Sequence, residues 1–162
     1  MNTIPVTIFP MTNTDIEEAL ALWQNLPGVG LRAGDDNPLS LARYLERNPG
    51  CSFVARSTSA RSLSARTTSA RTTNAQLVGT ILAGHDGRRG FIYHTAVVET
   101  HRGQGIGRAL AEHALEALRA QGIRKVALVA FSANDGAKAF WRRMGFGPRG
   151  DLEYMDCSLG AD

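Results

Sequence analysis

Cysteine is nearly absent: Cys51 and Cys157 are the only two in 162 residues, far apart and without metal-ligand spacing. That excludes a disulfide-stapled scaffold, and the strand-like context of both predicts buried free thiols in a reducing cytoplasm. The four histidines (His85, His94, His101, His113) form no metal pattern, so no metal is expected. No apolar run approaches the ~20 residues of a membrane span. The start, Met1-Asn2-Thr3-Ile4-Pro5, lacks the basic-then-apolar layout of a signal peptide.

Acid is missing from one tract. Residues 55–74 hold four pentads, ARSTS, ARSLS, ARTTS and ARTTN, with Arg56, Arg61, Arg66 and Arg71 and no Asp or Glu. Taking those four from the 18 bases leaves 14 against 15 acids, so the formal charge of +3 belongs to the tract. A composition of Ser, Thr, Ala and Arg without aromatics predicts a solvated loop. The alternatives are a short extension of the flanking hairpin and a phosphate- or RNA-touching arm. Period five would send successive arginines to opposite sides of a strand, which argues against a single binding face.

What remains fits one domain over residues 1–162, carrying the tract as an insertion between its second and third strands. Thr3–Phe9 alternates as a first strand. Thr14-Asp15-Ile16-Glu17 reads as a capping box opening a helix through Asn25, with Ile16, Ala19, Leu20 and Trp23 on one face. The loop 28–36 leads to Asn37-Pro38, N-cap and first turn of a second helix with Leu41, Tyr44 and Leu45 as its buried stripe. Strands are predicted at 52–56, 76–83, 90–98, 126–131 and 152–158. Helices follow residue 106, up to Gly122, and Asn134, up to Gly145.

Between the fourth strand and the third helix, Arg102 to Gly107 reads RGQGIG. A strand ending in a Gly-rich turn at a helix N-terminus offers unpaired N–H groups and a partial positive charge to a phosphate. No G-x-x-x-x-G-K-[ST] string occurs, which excludes a Walker loop. The spacing Gly103-x-Gly105-x-Gly107 is not G-x-G-x-x-G, and the downstream Gly122-Ile123-Arg124-Lys125 holds no acid for a ribose, which excludes a dinucleotide turn.

Arg102-x-x-Gly105-x-Gly107 resembles the acyl-CoA pyrophosphate loop of the GCN5-related N-acetyltransferases (GNAT). Tyr93-His94-Thr95-Ala96-Val97 is similar to that family's fourth strand. Asn134, Ala137, Phe140, Trp141 and Gly145-Phe146 resemble its second motif, N-x-x-A-x-x-F-[YW]-x-x-x-G-[FWY]. The resemblance is clearest over residues 77–147 and extends to small bacterial acetyltransferases.

It implies an α+β fold of α/β/α layers, with a mixed, mostly antiparallel sheet of six to seven strands and about four helices. It implies acetyl-CoA as co-substrate. The pyrophosphate would lie on Arg102, Gly103, Gln104, Gly105, Ile106, Gly107 and Arg108. The pantetheine arm would lie along Ala96, Val97 and Val98 and meet the amide of Asn134, which also reads as a plain N-cap. A backbone N–H near Val97 would polarise the thioester.

Trp141 stands where many relatives carry a Tyr that protonates the leaving thiolate. Indole is no useful acid, so water or a hydroxyl such as Ser132 or Tyr154 would supply the proton. A thiol of pKa near 8.5 leaves tolerably without one. Val129 stands where relatives that acetylate protein N-termini often have Glu, which points away from that substrate. Glu99 and His94 are the candidate bases, against readings as a solvated loop acid and a packed sheet histidine; a water chain is the third option. Asp35 and Asp36 either attract a cationic acceptor or form an exposed turn. The leading expectation is direct acetyl transfer to a small or amino-acid-like amine in the cytoplasm, with a homodimer left open. The alternatives are a non-catalytic acyl-CoA sensor and, through the Arg repeat, a nucleic-acid-touching protein.

Overall fold

The structure is a computed structural model that describes residues 5–58 and 75–159. Arg61, Arg66 and Arg71 of the repeat tract lie outside the described residues. The elements run β1 (Val6–Pro10), α1 (Ile16–Gln24), α2 (Pro38–Arg47), β2 (Phe53–Thr58), β3 (Ala75–His85), β4 (Gly90–Val97), α3 (Ile106–Ala120), β5 (Val126–Leu128) and α4 (Asp135–Arg143). The strands form one sheet in chain order, antiparallel except for the parallel β4–β5 pair. The α+β layering is as expected.

Among the described residues the sheet has five strands, not six or seven. Residues 152–158 form no strand and are exposed, and β5 stops at Leu128 instead of reaching Phe131. A strand needs an edge to pair with, and three residues of β5 offer little. Cys157, expected to be buried, is exposed with this segment, while Cys51 is buried; neither is in a disulfide.

The sheet separates two apolar clusters. Phe53, Ala55, Val78, Ile81, Ala83 and Ile92 face α3 and α4, meeting Leu110, Ala114, Leu118 and Trp141. Val54, Leu77, Leu82 and Ala96 face α1 and α2, meeting Ala19, Trp23, Leu41 and Leu45. The two sets alternate along β2, while register shifts in the β2–β3 and β3–β4 pairings break the alternation on β3 and β4, so that Val78 and Ile81 share one face and Leu77 and Leu82 the other.

The ends of the helices follow local chemistry. Asn37 Oδ1 accepts from the Ser40 N–H at 3.0 Å, capping α2 as expected. The capping box before α1 sits two residues earlier than the sequence suggested: Thr12 donates its N–H to Asp15 Oδ2 at 2.8 Å, over a 3₁₀ turn at Asn13–Asp15. Past α3 and α4, Ile123 N–H reaches Leu118 O and Phe146 N–H reaches Trp141 O, the paired bonds that close a helix over a glycine.

Arg56, first arginine of the repeat tract, is built into β2. Its guanidinium meets Asp15 at 2.7 Å and Glu18 at 3.0 Å and donates to Ala75 O. Those bonds hold the guanidinium in its charged form despite partial burial. This charge therefore braces β2 against α1. Among the described residues no helix is long and apolar enough to cross a membrane.

Candidate functional site

The glycine turn joins the 3₁₀ turn Glu99–His101 to α3. Gly105 is the N-cap residue of α3 at φ 81°, a left-handed backbone that a Cβ would strain, and no side chain caps the helix. The first N–H groups of α3 therefore have no intrahelical acceptor and point out of the turn. Gly107 differs. A Cβ there would meet Phe140 at 3.6 Å and Val97 at 3.7 Å, ordinary contacts, and its φ is not positive. Nothing in the chain's own packing requires glycine at 107.

The turn's arginines are engaged within the protein. Arg102 Nε donates to Val97 O at 3.1 Å, strapping the turn to the end of β4. Arg108 Nε donates to Glu112 at 2.7 Å on the exposed face of α3. Gln104 Nε2 donates to Thr100 O at 3.3 Å.

Beside the turn the sheet opens. β4 and β5 pair only over Gly90–Ile92 and Val126–Leu128. Beyond Ile92 the outer edge of β4 has no strand partner. Val98 N–H bonds Val78 O on β3, so by alternation the Val97 N–H and C=O face outward into this gap. Asn134 follows β5 in the chain, with Oδ1 accepting from Ala137 N–H at 3.0 Å as the cap of α4. Uncapped donors and an unpaired strand edge fit a phosphate-bearing molecule whose extended arm enters between β4 and β5.

The loop between α1 and α2 covers this opening. A Cβ on Gly28 would come within 2.7 Å of Asn134 Nδ2, and one on Gly30 within 2.7 Å of Phe131. At Gly28 the positive φ of 88° also favours glycine; at Gly30 a side chain would have to displace the Phe131 ring. Arg32 pairs with Asp156 at 2.6 Å and ties the C-terminal segment to the same loop.

The floor of the opening is a β-bulge. Thr80 pairs with Ala96 and Leu82 with Tyr93, so β4 carries one residue more than β3. His94 sits there at φ 36°, the single non-glycine positive φ among the described residues. The insertion reverses the facing of β4: Ile92 points to α3, whereas Ala96, four residues on, points to α1 and α2. Trp23 Nε1 donates to Thr80 Oγ1 at 2.8 Å, and Thr80 Oγ1 donates to His94 O at 3.2 Å, holding the bulge from below. The His94 ring lies on Trp23 with centroids 4.6 Å apart.

His94 and Asp36, predicted separately as a base and an acceptor-side acid, are brought together. His94 Nε2 lies 2.6 Å from Asp36 Oδ1, with both side chains largely buried. Asp36 Oδ2 also accepts from Arg32 N–H at 2.8 Å. Burial alone would raise the Asp36 carboxyl. The His94 hydrogen bond, the Arg32 N–H and the nearby positive charges outweigh it and hold the group below its usual range.

The other candidates lie apart. Asp35 is exposed, and Glu99 is exposed on the 3₁₀ turn. Trp141 is buried, edge-on to Phe140 and Phe146 in the cluster under α3. Ser132 and Tyr154 are exposed. Sequence reading missed Arg32, Thr80 and Trp23 as supports of this site. Its available signal was the run Tyr93-His94-Thr95, three consecutive polar side chains inside an otherwise apolar strand.

The sequence pattern described as the acetyltransferase (GNAT) family matches residues 35–146, which contain the bulge, the turn and Asn134. An acetyltransferase of Photorhabdus laumondii is 31% identical over 121 residues, covering 75% of this chain and 72% of that one. One of Sodalis glossinidius is 28% identical over 130 residues, 80% of this chain and 79% of its own. Among solved structures, Ard1 from Thermoplasma volcanium superposes with a TM-score of 0.67 at 22% identity, over 88% of this chain and 82% of that one. The chain belongs to the GNAT acetyltransferase family, whose enzymes use acetyl-CoA.

Proposed function

We propose that the chain transfers the acetyl group of acetyl-CoA directly to the amine of a small or amino-acid-like acceptor held on the α1–α2 side of β4. The co-substrate brings the activated acyl group as a thioester; the chain's residues do the rest. The backbone N–H groups of Gly103 to Arg108 bind the pyrophosphate, with Arg102 bracing the turn from Val97 O. The edge Ala96-Val97-Val98 takes the pantetheine arm as an added strand, opposite Asn134. The outward N–H of Val97 then polarises the thioester carbonyl. Trp141, enclosed by aromatic rings, offers no acidic proton, so the thiolate departs unassisted or takes a proton from water.

The observation that carries the small-acceptor reading is the packing of Gly28 and Gly30 onto Asn134 and Phe131. That contact narrows the approach to the open edge of β4, which suits a compact amine better than an extended peptide. Asp35, exposed on the same loop, adds attraction for a cation.

The test is an acetyl-CoA turnover screen over simple amines, polyamines, amino acids and peptides, read by release of free thiol. Turnover of at least one small amine is expected. Turnover confined to peptides would overturn the acceptor assignment. Acetyl-CoA binding without turnover of any amine would favour a non-catalytic sensor.

A further inference from the structure

We infer that His94 and Asp36 work as a dyad in which His94 Nδ1 takes the proton of the acceptor ammonium and Asp36 positions the imidazole. This rests on the acetyl-transfer reading above and goes beyond it by choosing the base and reassigning Asp36 from cation binding to positioning.

The geometry carries it. Asp36 is ionised, and its Oδ2 already accepts from Arg32 N–H, so Oδ1 can only accept from His94. The imidazole proton therefore sits on Nε2. Nδ1 keeps its lone pair and has no hydrogen-bond partner among the described residues. The ring is held on Trp23, on Asp36 and on the Thr80 bond to its backbone, whose left-handed conformation is a strained one for histidine. Without the bulge, residue 94 would point into the α3 cluster with Ile92; with it, the imidazole reaches the face that the loop covers. Three strand residues, about 10 Å, separate His94 from the Val97 N–H, a span for a small amine and one water.

Other charged or titratable groups near the ring are few. The loop supplies Asp36, Asp35 and Arg32, and β4 supplies Tyr93, with Tyr154 of the C-terminal segment beside it and Tyr44 of α2 edge-on to it. Trp23 of α1 and Thr80 of β3 carry no charge. Glu99 lies beyond the end of β4 and is exposed.

In the step itself the ammonium N–H proton passes to Nδ1. The freed lone pair forms the C–N bond, the C–S bond breaks with its electrons leaving on the thiolate, and the acylated nitrogen gives its second proton to that thiolate, leaving neutral amide and thiol. Asp36 stays a carboxylate beside the imidazolium, which returns its proton to solvent.

The test uses the full chain, acetyl-CoA and the best amine from the turnover panel. H94Q keeps an N–H donor toward Asp36 but has no basic nitrogen. It should melt as wild type, keep the KM for acetyl-CoA, and lose about 100-fold or more in kcat at pH 7. Its rate should then climb tenfold per pH unit toward the amine's own pKa. D36N removes the charge and leaves one amide oxygen to accept from His94 Nε2, at the expense of the bond from Arg32 N–H, so the acid limb of kcat/KM should move to lower pH. If H94Q stays within threefold of wild type with its acid limb intact, the dyad is structural. An unmoved limb in D36N overturns it equally, and decides the matter if H94Q fails to fold. If wild type turns over no amine, the acetyl-transfer reading fails first and this one with it.

Discussion

The two faces of the sheet are organised by different rules. On the α3 side, the turn, the start of the helix it opens and the strap from Arg102 to Val97 O lie within eleven residues of chain, 97–107. On the α1–α2 side, Trp23, Asp36, Thr80 and His94 come from four elements and meet only when the sheet forms. The first is a local motif that presents backbone donors. The second is a tertiary assembly that presents side chains. A cofactor common to a whole family suits the first, since N–H groups survive substitution. An acceptor that differs among relatives suits the second, where every contact is a changeable side chain.

That contrast can be broken most forcefully at Trp23. Its side chain is fully buried, and its N–H is the donor that fixes Thr80 beneath the bulge. Trp23→Ala should lower unfolding free energy by about 3–5 kcal/mol in urea. Trp23→Phe should cost less, about 1 kcal/mol plus the lost packing. In Trp23→Phe, acetyl-CoA affinity should be retained while acceptor turnover falls, because only the tertiary side is disturbed. A parallel loss of acetyl-CoA affinity would show that the two sides are not separable.

The glycine turn sharpens the comparison with a pair of variants of intermediate effect. Gly105 needs a left-handed backbone, so Gly105→Ala should destabilise by about 1–2 kcal/mol and weaken acetyl-CoA binding. Gly107 is helical with room for a Cβ, so Gly107→Ala should be neutral or stabilising by up to about 1 kcal/mol. Its acetyl-CoA affinity, measured by calorimetry, should stay near wild type, because the added methyl packs against Phe140 and Val97. A loss of affinity in Gly107→Ala would show that the ligand reaches that side of the helix.

The same contrast explains what the sequence made legible. Arg102 to Gly107, the caps Asn37 and Asn134, and the glycines past α3 and α4 are local signals, and each lies where its spacing placed it. The segment 152–158 has the alternation of a strand, but alternation does not supply a partner edge. His94 and Asp36 were both noticed, yet their pairing spans 58 residues and depends on one extra residue in β4. No window of local sequence contains that fact. Arg56 shows the converse: a repeat suggested a solvated arm, while its first arginine is fixed by acids from the first helical turn.

The smallest effect concerns acid. The Asp36 carboxyl is held low in the folded protein, so the unfolded chain takes up its proton more readily. Its contribution to stability is complete above the unfolded carboxylate range, near pH 4. It is lost as pH falls through the lower, folded value. Asp36→Asn should therefore flatten the pH dependence of melting temperature below about pH 4, at a cost of about 1 kcal/mol at pH 7, because its single amide oxygen accepts from His94 or from Arg32 N–H but not from both. A large destabilisation at pH 7 would mean that the charge itself pins the loop onto β4. The catalytic consequence of the same variant would then be read only after correcting for a displaced loop. A small one leaves the loop in place, and any change in the rate profile reports on the imidazole.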